Sequence, residues 1–138
     1  MSQYLIDTNI LSEPIKPQPN PKVIETMQRN TGDIAIASVT WHEILFGCNR
    51  LPPSRKRESI EQYLRDVLST FPILAYTLEA ATWHASERAR LIAIGQTPAY
   101  ADGQIAATAH INNLTLVTNN VSDYANFQNL NVENWFKS

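Results

Sequence analysis

The chain reads as an α/β fold, a parallel sheet covered by helices on both faces. Short apolar runs of strand length alternate along the chain with amphipathic or alanine-rich stretches of helix length. No internal repeat, low-complexity tract or linker interrupts that alternation. Strand–helix–strand connections of this kind favour parallel neighbours. Its 138 residues are then expected to form one domain over residues 1–138, long enough to bury a sizeable core.

Taken in order, Tyr4-Leu5-Ile6 reads as a buried strand, and Asp7-Thr8-Asn9 as a turn or helix start leading into Ile10-Leu11. Pro14, Pro17, Pro19 and Pro21 punctuate an extended connection, because proline breaks helix interiors and central strands. Val23, Ile24 and Met27 have helical spacing, with Gly32 as the stop, and Ile34-Ala35-Ile36-Ala37 forms a second strand. Thr40 to Gly47 predicts a short helix. Pro52-Pro53 forces a break, and Ser54 can cap the next helix, whose Ile60, Leu64, Val67, Leu68 and Phe71 recur at three- and four-residue steps. Pro72 ends that stripe before a third strand, Ile73-Leu74-Ala75. Leu78, Ala81, Ala85, Ala89 and Ile92 outline a long helix ending before Gly95. After the turn at Pro98 comes an alanine-rich helix from Asp102 to Ile111, then the strand Thr115-Leu116-Val117-Thr118 and a polar turn to Asp123. A short strand or coil near Leu130-Asn131-Val132 leads to Trp135.

Composition narrows the function classes. Hydrophobic residues make up 43% and charged residues 17%, the balance of a soluble globular protein. No apolar run approaches the roughly 20 residues needed to span a bilayer, and Asp7 interrupts the first apolar run before it can serve as a signal peptide. The single cysteine, Cys48, cannot form an internal disulfide and reads as a core residue, so a cytoplasmic location is expected. A net charge of −2 argues against a simple electrostatic nucleic-acid binder. A phosphate-bearing substrate would need metal ions or a local basic patch. Arg50, Arg55, Lys56 and Arg57 are the one dense basic cluster, and they fit a solvated helix start as well as a substrate contact.

Four acids stand apart. Asp7 and Asp123 closely follow predicted strands, and Glu43 and Asp102 fall in the first turns of predicted helices. In a parallel sheet the carboxyl ends of strands share one rim with the starts of the following helices, where open α/β proteins place their sites. The four can therefore converge. Clustered carboxylates repel and hold their protons unless a cation neutralises them. Oxygen-only donors suit Mg²⁺ or Mn²⁺ rather than zinc, and such ions serve in-line displacement at phosphorus, so the implied chemistry is phosphodiester hydrolysis. Each acid also has a plain structural reading: Asp7 and Asp123 as turn residues, Asp102 as a first-turn charge, and Glu43 as partner to Thr40 in a capping box. Other chemistries lack their residues. His42-Glu43 opens like a zinc-protease motif but has Phe46 in place of its second histidine. Asp7-Thr8-Asn9 lacks the second acid of an aspartyl-nucleophile phosphatase, and no glycine-rich phosphate loop follows the first strand. A phospho-acceptor signalling domain would need a lysine after the last strand, where Thr118-Asn119-Asn120 stands. His42, His84 and His110 show no metal spacing and read as surface or partly buried helix residues.

Four stretches resemble the motifs of PIN-domain ribonucleases, specifically VapC-type toxins of type II toxin–antitoxin pairs. They are Tyr4 to Glu13, Ser38 to Gly47, Asp102 to Ala109, and Leu116 to Asn120 together with Asp123-Tyr124. The proline-rich stretch from Glu13 to Pro21 is similar to the FitB-like branch. The resemblance runs essentially end to end and is weakest from Leu51 to Phe71. It implies a three-layer α/β/α sandwich with a central parallel sheet, and Mg²⁺- or Mn²⁺-dependent endoribonuclease activity. It further implies Asp7 and Asp102 as primary metal ligands, Glu43 as a further acid, and Thr8, Asn9 and Thr118 as supporting residues. The fourth acidic position falls on Asn120 in some relatives' spacing and on Asp123 in others', and both stay open. As partners the resemblance implies an RNA substrate, a homodimer, a small antitoxin that can insert a basic side chain into the acidic pocket, and operator DNA reached only through that antitoxin. The missing charge at Asn120 motivates an alternative, a catalytically silent subunit that serves as an antitoxin-binding co-repressor.

Overall fold

Two-residue alternation along each strand decides which side chains reach which face of the sheet. The computed structural model describes residues 2–137, with five strands: β1 Tyr4–Ile6, β2 Ile34–Ala37, β3 Ile73–Leu74, β4 Thr115–Val117 and β5 Val132–Glu133. Their spatial order is β3-β2-β1-β4-β5 and every pair is parallel. Tyr4 lies opposite Ile34 and Thr115, and Leu5 opposite Ala35 and Leu116. Ile6, Ile34, Ile36 and Val117 therefore share one face, while Leu5, Ala35, Ala37 and Leu116 share the other.

The helices divide accordingly. On the isoleucine face lie α1 (Thr8–Leu11), α2 (Pro21–Arg29), α3 (Ser38–Asn49) and α4 (Arg55–Thr70). They contribute Ile10, Leu11, Val23, Met27, Ile44, Cys48, Leu64 and Val67 to one core, which Trp135 completes. Against the alanine-containing face lie α5 (Leu78–Ala93) and α6 (Tyr100–Ile111), joined by Tyr124 and Phe127. The result is the expected α/β/α sandwich. Each fully buried Leu, Ile or Val contributes about 1.5–3 kcal/mol. Small residues on both surfaces, Ala35 and Ala37 in β2 and Ala106 and Ala109 in α6, let that helix settle closely on the sheet. Among the described residues no helix is long and apolar enough to cross a membrane.

Several local expectations are corrected. Pro14 lies within a short 3-10 turn, Glu13–Ile15, and Pro21 is the first residue of α2, where its missing N–H is not needed. That helix ends at Arg29, before Gly32, which falls in a second 3-10 turn. α3 starts at Ser38 rather than Thr40, with Ala37 before it and no side-chain cap. The Thr40–Glu43 capping box is thus absent: Thr40 is buried in the helix body and Glu43 stands in the second turn. The face of α5 differs most. Leu78 is 83% exposed and Ile92 48%, whereas the hidden stripe is Ala80, His84, Glu87 and Leu91. Polar groups can line that stripe because partners satisfy Glu87 fully and His84 on one side of its ring, its Nε2 finding no partner among the described residues. His84 Nδ1 meets the Tyr76 hydroxyl at 2.8 Å, and Glu87 binds Arg90 at 2.9 Å through both oxygens. His84 is accordingly fully buried, not a surface residue. Its imidazole occupies the space beside Gly103 of α6, where an added Cβ would fall 2.0 Å from His84 Nε2.

Candidate active site

The order β3-β2-β1-β4-β5 places the topological switch point between β1 and β4. The chain leaves β1 toward β2 on one side and later returns to β4 on the other. The crevice outside the carboxyl ends of these two strands is where open parallel sheets place their sites. Asp7 is the residue immediately after β1, and its N–H donates to the Val117 carbonyl of β4 at 2.8 Å. Only 6% exposed, its carboxylate is held by four hydrogen bonds. Oδ1 accepts from the Thr8 N–H at 2.8 Å, capping α1. Oδ2 accepts from the Thr118 hydroxyl at 2.9 Å, the Asn9 amide at 3.3 Å and the Tyr124 hydroxyl at 3.2 Å.

Thr118, one residue beyond β4, is completely buried and acts as a relay. Its oxygen donates to Asp7 and accepts from the Asn9 amide at 3.2 Å and the Asn120 N–H at 3.0 Å. The Asn9 side-chain oxygen, Oδ1, in turn accepts from the Asn119 N–H at 2.8 Å. These bonds lock the loop after β4 to the start of α1. Asn120 enters this network through its backbone.

The remaining acids approach from two helices and a turn. Asp102 is the third residue of α6, where the helix dipole favours negative charge. Glu43, exposed on α3, accepts from the Thr8 hydroxyl at 3.4 Å. Asp123 is exposed in the 3-10 turn Val121–Tyr124. Burial, the Asp7 carboxylate and then Asp123 push the Asp102 carboxyl above the ordinary aspartate range. Burial, Asp7 and, more weakly, Asp102 do the same to Glu43, against the opposing bond from Thr8. Asp102 thus senses the charges of Asp7 and Asp123, and Glu43 those of Asp7 and Asp102. No ion pair with a Lys or Arg relieves Asp7, Glu43 or Asp102 among the described residues. Nor, among those residues, are three His, Cys, Asp or Glu side chains gathered closely enough to hold a metal ion together. The Tyr124 hydroxyl joins Asp7 to Asp102, and Thr8 links Asp7 to Glu43 through its N–H and its hydroxyl.

Tyr124 is the residue that sequence reasoning passed over. It is 1% exposed, and its hydroxyl lies 3.2 Å from Asp7 Oδ2 and 3.3 Å from Asp102 Oδ1. A phenol carries one proton, so it serves one of the two carboxylates at a time. Burial and the two neighbouring carboxylates push its ionisation far above the ordinary tyrosine value, so the hydroxyl remains a donor. The motif stretch contains Tyr124, but no spacing rule marks it, because its role depends on a contact with β1 more than a hundred residues away.

Comparison with known proteins places this geometry in context. The PIN domain family matches residues 4–126. A tRNA(fMet)-specific endonuclease VapC of Shigella flexneri is 32% identical over 98% of this chain and 99% of its own length. Toxin FitB of Neisseria gonorrhoeae is 32% identical over 87% of this chain and 89% of its length. The crystal structure of FitAcB from Neisseria gonorrhoeae superposes with a TM-score of 0.91 at 29% identity, covering 99% of this chain and 100% of that one. DNA-bound VapBC from Salmonella typhimurium gives a TM-score of 0.86 at 27% identity, covering 98% and 99%.

Proposed function

Because this chain belongs to the PIN-domain family, we propose that it is a divalent-metal-dependent endoribonuclease and the toxin of a VapBC-type pair. One observation carries the chemical part of this reading: Asp7, Glu43 and Asp102 share a rim without an ion pair to Lys or Arg among the described residues, and two of the three hold their protons more tightly than usual, Glu43 despite the weak opposing influence of His42. Such a donor set fits a hard divalent cation, which would offset the repulsion and accept oxygen ligands only. Asp7, Asp102 and Glu43 would hold Mg²⁺ or Mn²⁺. The ion, when bound, supplies Lewis-acid stabilisation of the phosphate and a more acidic water.

The chain's own residues do the positioning. Thr118, Asn9 and the Thr8 N–H fix the Asp7 carboxylate, and Thr8 extends the same network to Glu43. Tyr124 sets the spacing between Asp7 and Asp102. The proximity of Asp123 to Asp102 favours Asp123 over Asn120 as the acid of the fourth motif, and with it an active enzyme over a silent co-repressor. A small antitoxin is the proposed partner, with operator DNA engaged through it, in keeping with the FitAB and VapBC complexes that this fold resembles. A cleft of about 300 Å³ between α2 and α4, lined by Ile24, Met27, Tyr63, Val67 and Phe71 among others, offers an apolar surface for that contact. A homodimer in the cytoplasm completes the proposal; buried, unpaired Cys48 is compatible with a reducing compartment.

The test is cleavage of RNA by the purified protein with Mg²⁺ or Mn²⁺, its loss in EDTA, and mapping of the new 5′ ends. Cleavage that persists in EDTA, or that is unchanged in Asp7→Asn and Asp102→Asn, would overturn the reading.

A further inference from the structure

We propose that the cleft beside Asp123 receives an unpaired nucleobase of the RNA next to the cleaved bond, an inference that rests on the ribonuclease reading above. The cleft holds about 330 Å³, at the lower end of the roughly 300–1,000 Å³ of small-ligand sites. It lies between the α5–α6 connection and the turn after β4. Asp123 ties it to the acidic rim, since it lines the cleft and the next residue, Tyr124, bonds both Asp7 at 3.2 Å and Asp102 at 3.3 Å.

Its lining suits a base rather than a phosphate. Leu91 and Phe127, both buried, give an apolar floor. Gln96, Thr97 and Asn126 are exposed at its edge, and among the described residues their side chains make no hydrogen bond within the chain. Two amides and a hydroxyl supply donors and acceptors for the edge of a base. No Lys or Arg lines the cleft; Arg88 and Arg90 at its border are engaged with the Pro98 and Asn126 carbonyls, and the Asp123 carboxylate repels a phosphate, so the uncharged part of a nucleotide is the part that enters. A base within a duplex has its pairing edge occupied and is stacked on both sides. The cleft therefore selects a loop, bulge or single strand.

The experiment uses the full chain carrying Asp7→Asn, so that RNA persists, and an unstructured RNA of about ten nucleotides, within the site sizes usual for single-strand binding. Side-chain amide signals of Gln96 and Asn126 are followed by NMR and identified by their loss in a Q96A/N126A variant. Both signals are expected to shift on titration with the single strand and to stay in place with the same RNA annealed to its complement. The double variant should bind the single strand roughly fivefold or more weakly, the loss of one or two hydrogen bonds, and in the active background should raise KM with little change in kcat. Unmoved amides, together with unchanged binding, KM and cut sites in Q96A/N126A, would overturn the proposal. If the wild-type protein cuts no RNA yet the amides shift, the ribonuclease reading fails while the base site stands.

Discussion

The helix α5 and the sheet rim treat their acids in opposite ways. On α5, Glu87 is 7% exposed and is gripped by Arg90 through both oxygens, by the Gln128 N–H at 2.8 Å, and indirectly by the bond from Arg90 to the Asn126 carbonyl. The bonds to Arg90 lower its pKa below the ordinary glutamate value. At the sheet rim, Asp102 and Glu43 are raised by burial and by their acidic neighbours, with hydroxyls in place of guanidinium groups. Local satisfaction marks a structural clamp, here fastening the segment after β4 to a helix. Unrelieved repulsion marks a place that is waiting for a positive charge.

The largest expected effect tests the rim. Asp102→Asn should lower the single-turnover rate of RNA cleavage by roughly a hundredfold to a thousandfold, the usual consequence of losing one charge-stabilising group. The same change should raise the melting temperature in metal-free buffer at neutral pH. A carboxyl whose folded pKa is raised is penalised when ionised in the native state, and the amide removes that penalty. A lower melting temperature would break the contrast drawn above.

Tyr124→Phe comes next. It keeps the ring in its core position and deletes the proton shared by Asp7 and Asp102. A loss of about tenfold to a hundredfold in activity or Mn²⁺ affinity is expected, as for other groups that orient ligands, measured by cleavage assays and calorimetry. An unchanged metal affinity and rate would show that the shared hydroxyl is dispensable.

At the clamp the signature reverses. Glu87→Gln should reduce the melting temperature by roughly 5 °C, the scale set by a few hydrogen bonds to a charged group in a domain of this size. It should leave the cleavage rate per folded molecule unaltered. A smaller effect sharpens the comparison further. Because the folded pKa of Glu87 is depressed from 4.5, its stabilisation is fully present above that value and is lost as pH falls through the lower folded value. The gap in melting temperature between wild type and Glu87→Gln should stay constant from pH 7 to about pH 5 and narrow in more acidic buffer.

The same contrast explains what could be read from the residues alone. β1, β2 and β4 are apolar runs bounded by polar or helix-forming residues, so both their existence and the position of Asp7 at a strand end were legible. So was Asp102 at the entrance of an alanine-rich helix. Strand order was not, because nothing local specifies which strands are neighbours. The buried face of α5 was misread since His84 and Glu87 count as polar in any periodicity. Their partners Tyr76, Arg90 and Gln128 make them interior residues. Glu43 carries a capping-box reading beside its reading as a site acid, because Thr40-x-x-Glu43 has the right spacing. The helix begins two residues earlier, and the glutamate points instead to Thr8. Tyr124 was illegible for a similar reason: its importance lies in a contact between the two ends of the chain.

The imidazole of His84 beside Gly103 ties catalysis to packing in an unobvious way. The depth at which α6 sits is set by a side chain that is missing, and the neighbouring carboxylate inherits its height above the sheet from that gap. A methyl group at position 103 would force either the His84 ring or the helix start to move, and a displaced helix would loosen the contact of Asp102 with the Tyr124 hydroxyl. Positions 84 and 103 are therefore bound to change as a pair, the ring shrinking before the glycine can grow, although neither residue touches the chemistry.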